Sequence, residues 1–176
     1  IDVADKGWTK AFTHMQKKIE QAASCAFLSA KKPSAFQHRH FDINIILTND
    51  ANIRKLNKIY RRQNKATNVL SFQQFALPGL KKQTLSIYPA KSIIPLGDVV
   101  LARGTILKEC KRQKKTAEQH MLHLVVHGVL HLLGYDHMRH SDAKNMEKLE
   151  CDILSVLGYP DPYHEHTPKQ KKRRHG

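Results

Sequence analysis

Residues 127–137 read HGVLHLLGYDH, and histidines stand at the first, fifth and last positions of this stretch. Side chains four residues apart share one face of a helix, so His127 and His131 can point imidazole nitrogens at a single ion. Gly134 can end the helix in the left-handed conformation, and the following turn can bring His137 back to the same ion. Three neutral imidazoles suit zinc and leave a fourth position open for water, as in catalytic zinc sites. The stretch therefore predicts a metal site, with one Zn²⁺ per chain, at the end of a core helix.

The segments on either side of this stretch predict an α+β fold. Apolar residues that recur every three to four positions predict helices, and alternating or β-branched runs predict strands. Thr116 and Gln119 form a capping box that opens the helix of the histidine stretch. Predicted helices cover about residues 7–30, 49–60, 103–113, 116–134 and 141–158, and predicted strands cover about residues 41–45, 67–72 and 96–102. We therefore expect a single domain with a small mixed β-sheet packed by about five helices.

The chain carries a large and uneven positive charge. It has 30 Lys and Arg residues against 15 Asp and Glu residues, which gives a formal net charge of +15. The bases concentrate in residues 53–65, 108–115 and 169–176. Such clusters attract a polyanion through counterion release, so RNA or DNA is the expected partner. Residues 1–163 are predicted to form the folded domain, and residues 164–176 a basic disordered tail.

Composition also predicts the cellular location. The chain has three cysteines, Cys25, Cys110 and Cys151. Because their number is odd and no two of them have the C-x-x-C spacing, no disulfide framework is indicated, and a reducing cytosol is favoured. The chain has no run of about 18 apolar residues, so no membrane span is expected. It also has no apolar segment shortly after Ile1, so no secretory signal is expected. A cytoplasmic protein without a membrane partner is expected.

The histidine spacing is similar to that of the metzincin proteases, H-E-x-x-H-x-x-G-x-x-H. Those enzymes place a glutamate general base directly after the first histidine, where this chain has Gly128. The next acidic residue, Asp136, lies beyond the predicted helix. The metal-ligand pattern is retained without the peptidase base, so peptide hydrolysis is not expected.

A more extensive resemblance is to the YbeY family of bacterial rRNA maturation factors. The stretch HGVLHLLGYDH resembles the signature of that family, and four further blocks agree with it in order. These blocks are Tyr60-Arg61, Thr67-Asn-Val-Leu-Ser-Phe72, Leu96-Gly-Asp98 and Leu157-Gly-Tyr-Pro-Asp-Pro-Tyr163. The resemblance covers about residues 41–163, and one departure is Gln73, where the family often has proline.

The resemblance implies a zinc-dependent endoribonuclease that is specific for single-stranded RNA. It places the metal ligands at His127, His131 and His137, and the catalytic residues at Arg61 and His127. It further implies 3′-end processing of small-subunit rRNA and ribosome quality control. The implied partners are single-stranded RNA, rRNA and the small ribosomal subunit.

Two more histidines, His120 and His123, match histidines of some family members. They lie upstream of the predicted ligands on the same helix. Two roles are open for them: orienting the metal ligands, or packing in the core.

The expected mechanism is metal-assisted phosphodiester hydrolysis, in which Arg61 pairs with the scissile or a neighbouring phosphate. The sequence identifies no general base. This absence and the positive charge also suit an alternative, a non-catalytic RNA-binding ribosome-assembly factor with a structural zinc. A third interpretation is a metallohydrolase that acts on a small substrate. The sequence makes no prediction of the oligomeric state.

Overall fold

The described part of the chain comprises residues 1–8, 15–32, 34–75, 85–89, 91–136 and 140–163 of a computed structural model. Its strands are β1, Asp2–Val3; β2, His40–Thr48; β3, Val69–Gln73; and β4, Ile93–Ala102. Its helices are α1, Gln16–Ser29; α2, Asp50–Arg61; α3, Arg103–Gln113; α4, Ala117–Leu132; and α5, His140–Val156. The described residues also contain a short 3₁₀ helix, Ser34–Phe36. Five helices and a four-stranded mixed sheet in the described residues confirm the predicted α+β class.

The four strands form one sheet in the order β1-β2-β4-β3. Strands β1 and β4 both run parallel to β2, whereas β3 pairs antiparallel with β4. The backbone of Gly97 in β4 has a φ of +146°, and a Cβ there would collide with the carbonyl oxygen of Phe72. The glycine of the Leu96-Gly-Asp98 block is therefore required by the close approach of β3.

Most predicted boundaries agree with the observed ones to within a few residues. The strand predicted over 41–45 extends to Thr48, because its last residues lie between β1 and β4 and no longer alternate between apolar and polar. The strand predicted over 96–102 begins earlier, at Ile93. Helix α1 accounts for part of the helix predicted over 7–30, and residues 9–14 of that prediction lie outside the described part.

Helix α4 occupies the centre of the helical layer. It contacts α1, α3 and α5 as well as strands β3 and β4. Most of its residues are buried, because its apolar side chains cover more than one face. The less buried positions of its central and C-terminal turns are His123, His127 and His131, which are spaced four residues apart. The predicted core helix therefore presents a row of imidazoles along one face.

Both ends of α4 have the predicted caps. The Thr116 side chain accepts from the Gln119 backbone N–H at 3.2 Å, and the Gln119 side chain accepts from the Thr116 N–H at 3.2 Å. At the other end, Gly134 has a φ of +85°, and its N–H donates to the His131 oxygen at 3.0 Å. The Tyr135 N–H donates to the Leu130 oxygen, which completes a Schellman motif. The first cap fixes where the helix begins, and the second ends it directly after His131.

No helix within the described ranges is long and apolar enough to cross a membrane. The three cysteines are free thiols. Residues 164–176, the predicted tail, lie outside the described residues, so the division into a domain of 1–163 and a tail stays a prediction.

Candidate metal centre

His127 and His131 lie one turn apart on α4 and direct their imidazoles towards each other. Their Nε2 atoms are 3.1 Å apart. The side chain of His127 is 25% exposed, so the pair is accessible from a surface cavity. Two nitrogens that each lie about 2.1 Å from one tetrahedral zinc are about 3.4 Å apart. The structure therefore brings two of the three predicted ligands to nearly the spacing that zinc requires.

In each of the two rings, the hydrogen bond made by Nδ1 determines which nitrogen carries the proton. His127 Nδ1 lies 2.7 Å from Oε1 of Glu150, and His131 Nδ1 lies 2.9 Å from the backbone oxygen of Tyr135. Both oxygens are acceptors, so in the neutral rings each Nδ1 carries the proton and each Nε2 carries a lone pair. Two such lone pairs at 3.1 Å repel each other, and a proton or a metal ion between them relieves this repulsion. The donor set therefore fits a metal ion, because ligating histidines usually donate their other N–H in this way.

The carboxylate behind His127 belongs to Glu150 of α5, and its side chain is fully buried. It accepts from His127 Nδ1 at 2.7 Å, from His123 Nε2 at 2.8 Å and from the hydroxyl of Tyr163. Burial raises the pKa of this carboxyl, but hydrogen bonds from His123 and His127 outweigh burial and lower the pKa to about 2. Glu150 is therefore ionised at neutral pH and holds the His127 ring in one orientation and one tautomer.

Sequence reasoning did not identify Glu150. It lies 23 residues from His127 on a separate helix, so no local spacing connects the two. A signal was nevertheless present, because Glu150 shares the buried face of α5 with Met146, Ile153 and Leu154. A carboxylate on an apolar face needs buried partners, and the histidines of α4 are those partners.

Among the described residues, His123, His127 and Glu150 form a group that could hold a metal ion. In this group the nitrogens lie 2.7 and 2.8 Å from the carboxylate oxygens, which is the length of charge-assisted hydrogen bonds. That separation is well below the spacing of about 3.4 Å between tetrahedral zinc ligands. The 3.1 Å pair of His127 and His131 lies nearer to that spacing. The geometry thus favours an ion at the two Nε2 atoms, with Glu150 as the support of His127.

Arg61 lines the same cavity as the two histidines, and the cavity has a volume of about 650 Å³. Arg61 is the last residue of α2, where Arg62 adopts a left-handed conformation with a φ of 56° and ends the helix. A guanidinium beside a cation site suits an anionic substrate. The structure brings Arg61, His127 and His131 together, whereas His137 lies outside the described residues.

Helix α4 packs closely against the sheet at Gly128. A Cβ at this position would lie 2.5 Å from Val99 Cγ1 and 3.2 Å from Ser71 Oγ. There is no space here for the glutamate of the metzincin proteases, in agreement with the expected lack of a peptidase base. Among the described residues that line the cavity, Asp136 alone carries a carboxylate.

Gln73, which departs from the family pattern, contacts the histidine helix directly. Its Nε2 donates to the backbone oxygen of His131 at 2.5 Å. Two residues earlier on β3, Ser71 Oγ donates to the backbone oxygen of Gly128 at 3.1 Å. Strand β3 therefore holds the C-terminal half of α4, and Gln73 adds a side-chain hydrogen bond that proline cannot donate.

His120 and His123 were predicted either to orient the metal ligands or to pack in the core, and the structure places them differently. His123 contacts Glu150 and so belongs to the network behind His127. His120 is buried, and its Nε2 lies 2.7 Å from Oε2 of Glu109. His120 is therefore a buried partner of Glu109 rather than a direct neighbour of the pair of His127 and His131.

Replacing Glu150 by Gln should weaken metal binding about 10- to 100-fold, the usual cost of losing a group that orients a ligand. The amide oxygen can accept from one histidine, but the amide nitrogen faces the second donor and repels it. A competition titration with a metal-sensitive dye measures the effect. Glu147→Gln, one turn earlier on α5 and exposed, is the matched control. Equal metal affinity in the two variants would contradict the role of Glu150.

Two facing histidines and an arginine line one cavity, and a buried carboxylate supports one of the histidines, an arrangement that suits a metal-dependent hydrolase. The chain belongs to the endoribonuclease YbeY family, because the model of that family matches residues 3–158. This match confirms the family predicted from the histidine stretch, and with it the prediction of an endoribonuclease-type enzyme.

Individual relatives agree over nearly the whole length. A protein named Endoribonuclease YbeY from Agrobacterium fabrum is 39% identical over 171 residues, which are 96% of this chain and 95% of that protein. A protein of the same name from Parvibaculum lavamentivorans is 48% identical over 152 residues, 86% of this chain and 78% of that protein. A solution structure of a Thermotoga maritima protein aligns with 92% of this chain and 97% of its own, at 20% identity and a TM-score of 0.46.

Proposed function

We propose that this protein is a zinc-dependent endoribonuclease that cleaves single-stranded RNA by phosphodiester hydrolysis. The observation that carries the proposal is the pair of Nε2 atoms 3.1 Å apart in a cavity that also contains Arg61. The names of the relatives support RNA as the substrate class. Within this proposal the protein acts in the cytoplasm on the 3′ end of small-subunit rRNA and in ribosome quality control, with the small ribosomal subunit as partner.

The donor set supports zinc as the metal. Imidazole nitrogens suit zinc, whereas magnesium and calcium prefer oxygen ligands. His127 and His131 would hold the ion through Nε2, and His137 would be the third ligand, giving one Zn²⁺ per chain. Zinc at such a site supplies Lewis acidity towards a phosphoryl oxygen and towards water.

The protein's own groups position the RNA. The guanidinium of Arg61 can donate two parallel hydrogen bonds to phosphoryl oxygens and stabilise charge that develops on them. His127 is kept in the tautomer that presents a lone pair to the cavity, because Glu150 accepts a hydrogen bond from its Nδ1–H. Catalysis in this proposal therefore depends on electrostatic positioning around the phosphate.

The surface around α2 supports binding of a polyanion. Its exposed bases include Arg54, Lys55, Lys58 and Arg62, on and directly after the helix whose last residue, Arg61, lines the cavity. A further base, Lys108 of α3, lies beside the start of α2, with its Nζ 3.3 Å from Oδ2 of Asp50. A basic surface of this kind can follow the backbone of a single strand without reading its sequence.

The test is single-turnover cleavage of an end-labelled single-stranded RNA, with a duplex of the same sequence as control. The zinc-loaded protein should cleave the single strand and leave the duplex intact. A chelator should slow cleavage at least about 100-fold, and added zinc should restore it, because the metal supplies the Lewis acidity. Salt-dependent RNA binding without cleavage by the zinc-loaded protein would instead support the assembly-factor alternative.

A further inference from the structure

A second cavity lies on the other side of His127. It has a volume of about 380 Å³ and shares Asn68, Val69 and His127 with the cavity that Arg61 lines. Residues from α3, from α4, from the link between them at Lys115 and from the turn at Pro162 and Tyr163 complete its lining. A strand whose phosphate lies beside His127 and His131 would therefore place its neighbouring nucleotide at this second cavity.

The second cavity contains a carboxylate and two histidine rings, those of Glu109, His120 and His123. Glu109 Oε2 accepts from Asn68 Nδ2 at 2.9 Å and from His120 Nε2 at 2.7 Å, so Oε1 remains as an acceptor for another group. Since His120 and His123 donate through Nε2 to carboxylates, their Nδ1 atoms are acceptors in the neutral rings. Both Nδ1 atoms are buried and have no hydrogen-bond partner among the described residues. The side chain of His120 is only 5% exposed.

These acceptors select the chemistry of a ligand. The described lining contains one acidic and one basic side chain, Glu109 and Lys115, and the Lys115 ammonium donates to the backbone oxygen of Pro162. The Glu109 carboxylate is therefore the charged acceptor that distinguishes one ligand from another. The second cavity suits a group that donates several hydrogen bonds, such as the exocyclic amino group of cytosine or adenine. Uracil presents carbonyl oxygens at the corresponding position and would face the carboxylate unfavourably.

Tyr163 supplies an aromatic surface in the same cavity. Its hydroxyl donates to Glu150, and its ring lies edge-on to His123 with centroids 5.4 Å apart. The residue is 44% exposed, so part of the ring remains open to a ligand. An aromatic ring that is held in place and open on one side is the usual stacking platform for an unpaired base.

We infer that the second cavity is a subsite for one nucleobase, that of the nucleotide next to the scissile phosphate. The base stacks on Tyr163 and donates its amino group to Glu109, so cytosine and adenine are preferred over uracil. This inference rests on the proposed function, because it requires the RNA strand to pass His127.

The test is binding of fluorescent ten-nucleotide strands to the zinc-loaded protein, read by stopped-flow anisotropy before cleavage proceeds. The strands are oligocytidine, oligoadenosine, oligouridine and an abasic ribose-phosphate strand of equal charge. Oligocytidine and oligoadenosine should bind about 10-fold more tightly than the abasic strand, the scale of one stacked base. Oligouridine should bind more weakly than these two, because its carbonyl oxygen faces the Glu109 carboxylate. Equal affinity for all four strands would overturn the subsite.

Variants assign the preference to its residues. Tyr163→Ala should bind all strands as weakly as the abasic one, and Tyr163→Phe should keep the preference because it keeps the ring. Glu109→Gln should bring the ratio between oligocytidine and oligouridine close to one, and the exposed Glu20→Gln on α1 should leave it unchanged. A ratio unchanged in Glu109→Gln and Tyr163→Ala would place base recognition elsewhere and overturn the inference. Cleavage without base preference refutes the subsite alone, whereas no binding of any strand at low salt refutes the RNA function as well.

Discussion

Replacing His131 by Ala should remove the zinc from the purified protein and abolish RNA cleavage. The wild-type protein should carry about one zinc per chain, since we propose that the histidine stretch supplies three ligands to one ion. Each ligand provides roughly a third of an apparent binding free energy of about 10–16 kcal/mol, so losing one should weaken binding about 1,000-fold. Elemental analysis after dialysis measures the metal, and the cleavage assay measures the rate. The fold should persist, because alanine favours the helical backbone of α4.

The exposed His40→Ala, at the first residue of β2, is the control and should keep both zinc and cleavage. His123→Ala distinguishes the two possible donor sets. If zinc stays in His131→Ala and is lost in His123→Ala, the ion belongs to the group of His123, His127 and Glu150. Full zinc content in His131→Ala would thus refute the assignment to the paired Nε2 atoms.

Replacing Arg61 by Ala or Lys should slow cleavage about 10- to 1,000-fold, equivalent to about 1.4–4 kcal/mol of lost transition-state stabilisation. The planar guanidinium can bridge two phosphoryl oxygens, and the ammonium of lysine acts as a point charge that cannot. RNA affinity and zinc content should stay close to wild type, because the neighbouring bases of α2 still attract the backbone. Single-turnover cleavage of single-stranded RNA measures the rate, and anisotropy measures the affinity.

Arg62→Ala is the matched control, because Arg62 is the next residue and is absent from the described lining of the cavity. Its cleavage rate should be nearly that of wild type. Equal rates for Arg61→Ala and Arg62→Ala would show that Arg61 has no specific role in the transition state. That result would favour the alternative of an RNA-binding assembly factor.

The sequence by itself determined the features that depend on neighbours within one or two helical turns. The capping box of Thr116 and Gln119 and the left-handed Gly134 both follow from local residue types, and the structure contains both. The pairing of His127 with His131 also follows from a spacing of four residues, because 3.6 residues complete one turn. Such features are predictable because backbone geometry alone relates these positions.

Only the tertiary structure decided which distant groups complete the site. Glu150 is 23 residues from His127, and the contact of Gln73 with the His131 oxygen spans 58 residues. Arg61 reaches the cavity because α2 ends beside β3 and α4, an arrangement that depends on how separate elements pack. These contacts depend on the register of the sheet and the position of α5 against α4, which no spacing along the chain specifies. The local pattern therefore predicted three metal-ligating histidines, of which His127 and His131 face each other in the structure. Packing supplied the carboxylate that orients His127 and the arginine that shares its cavity.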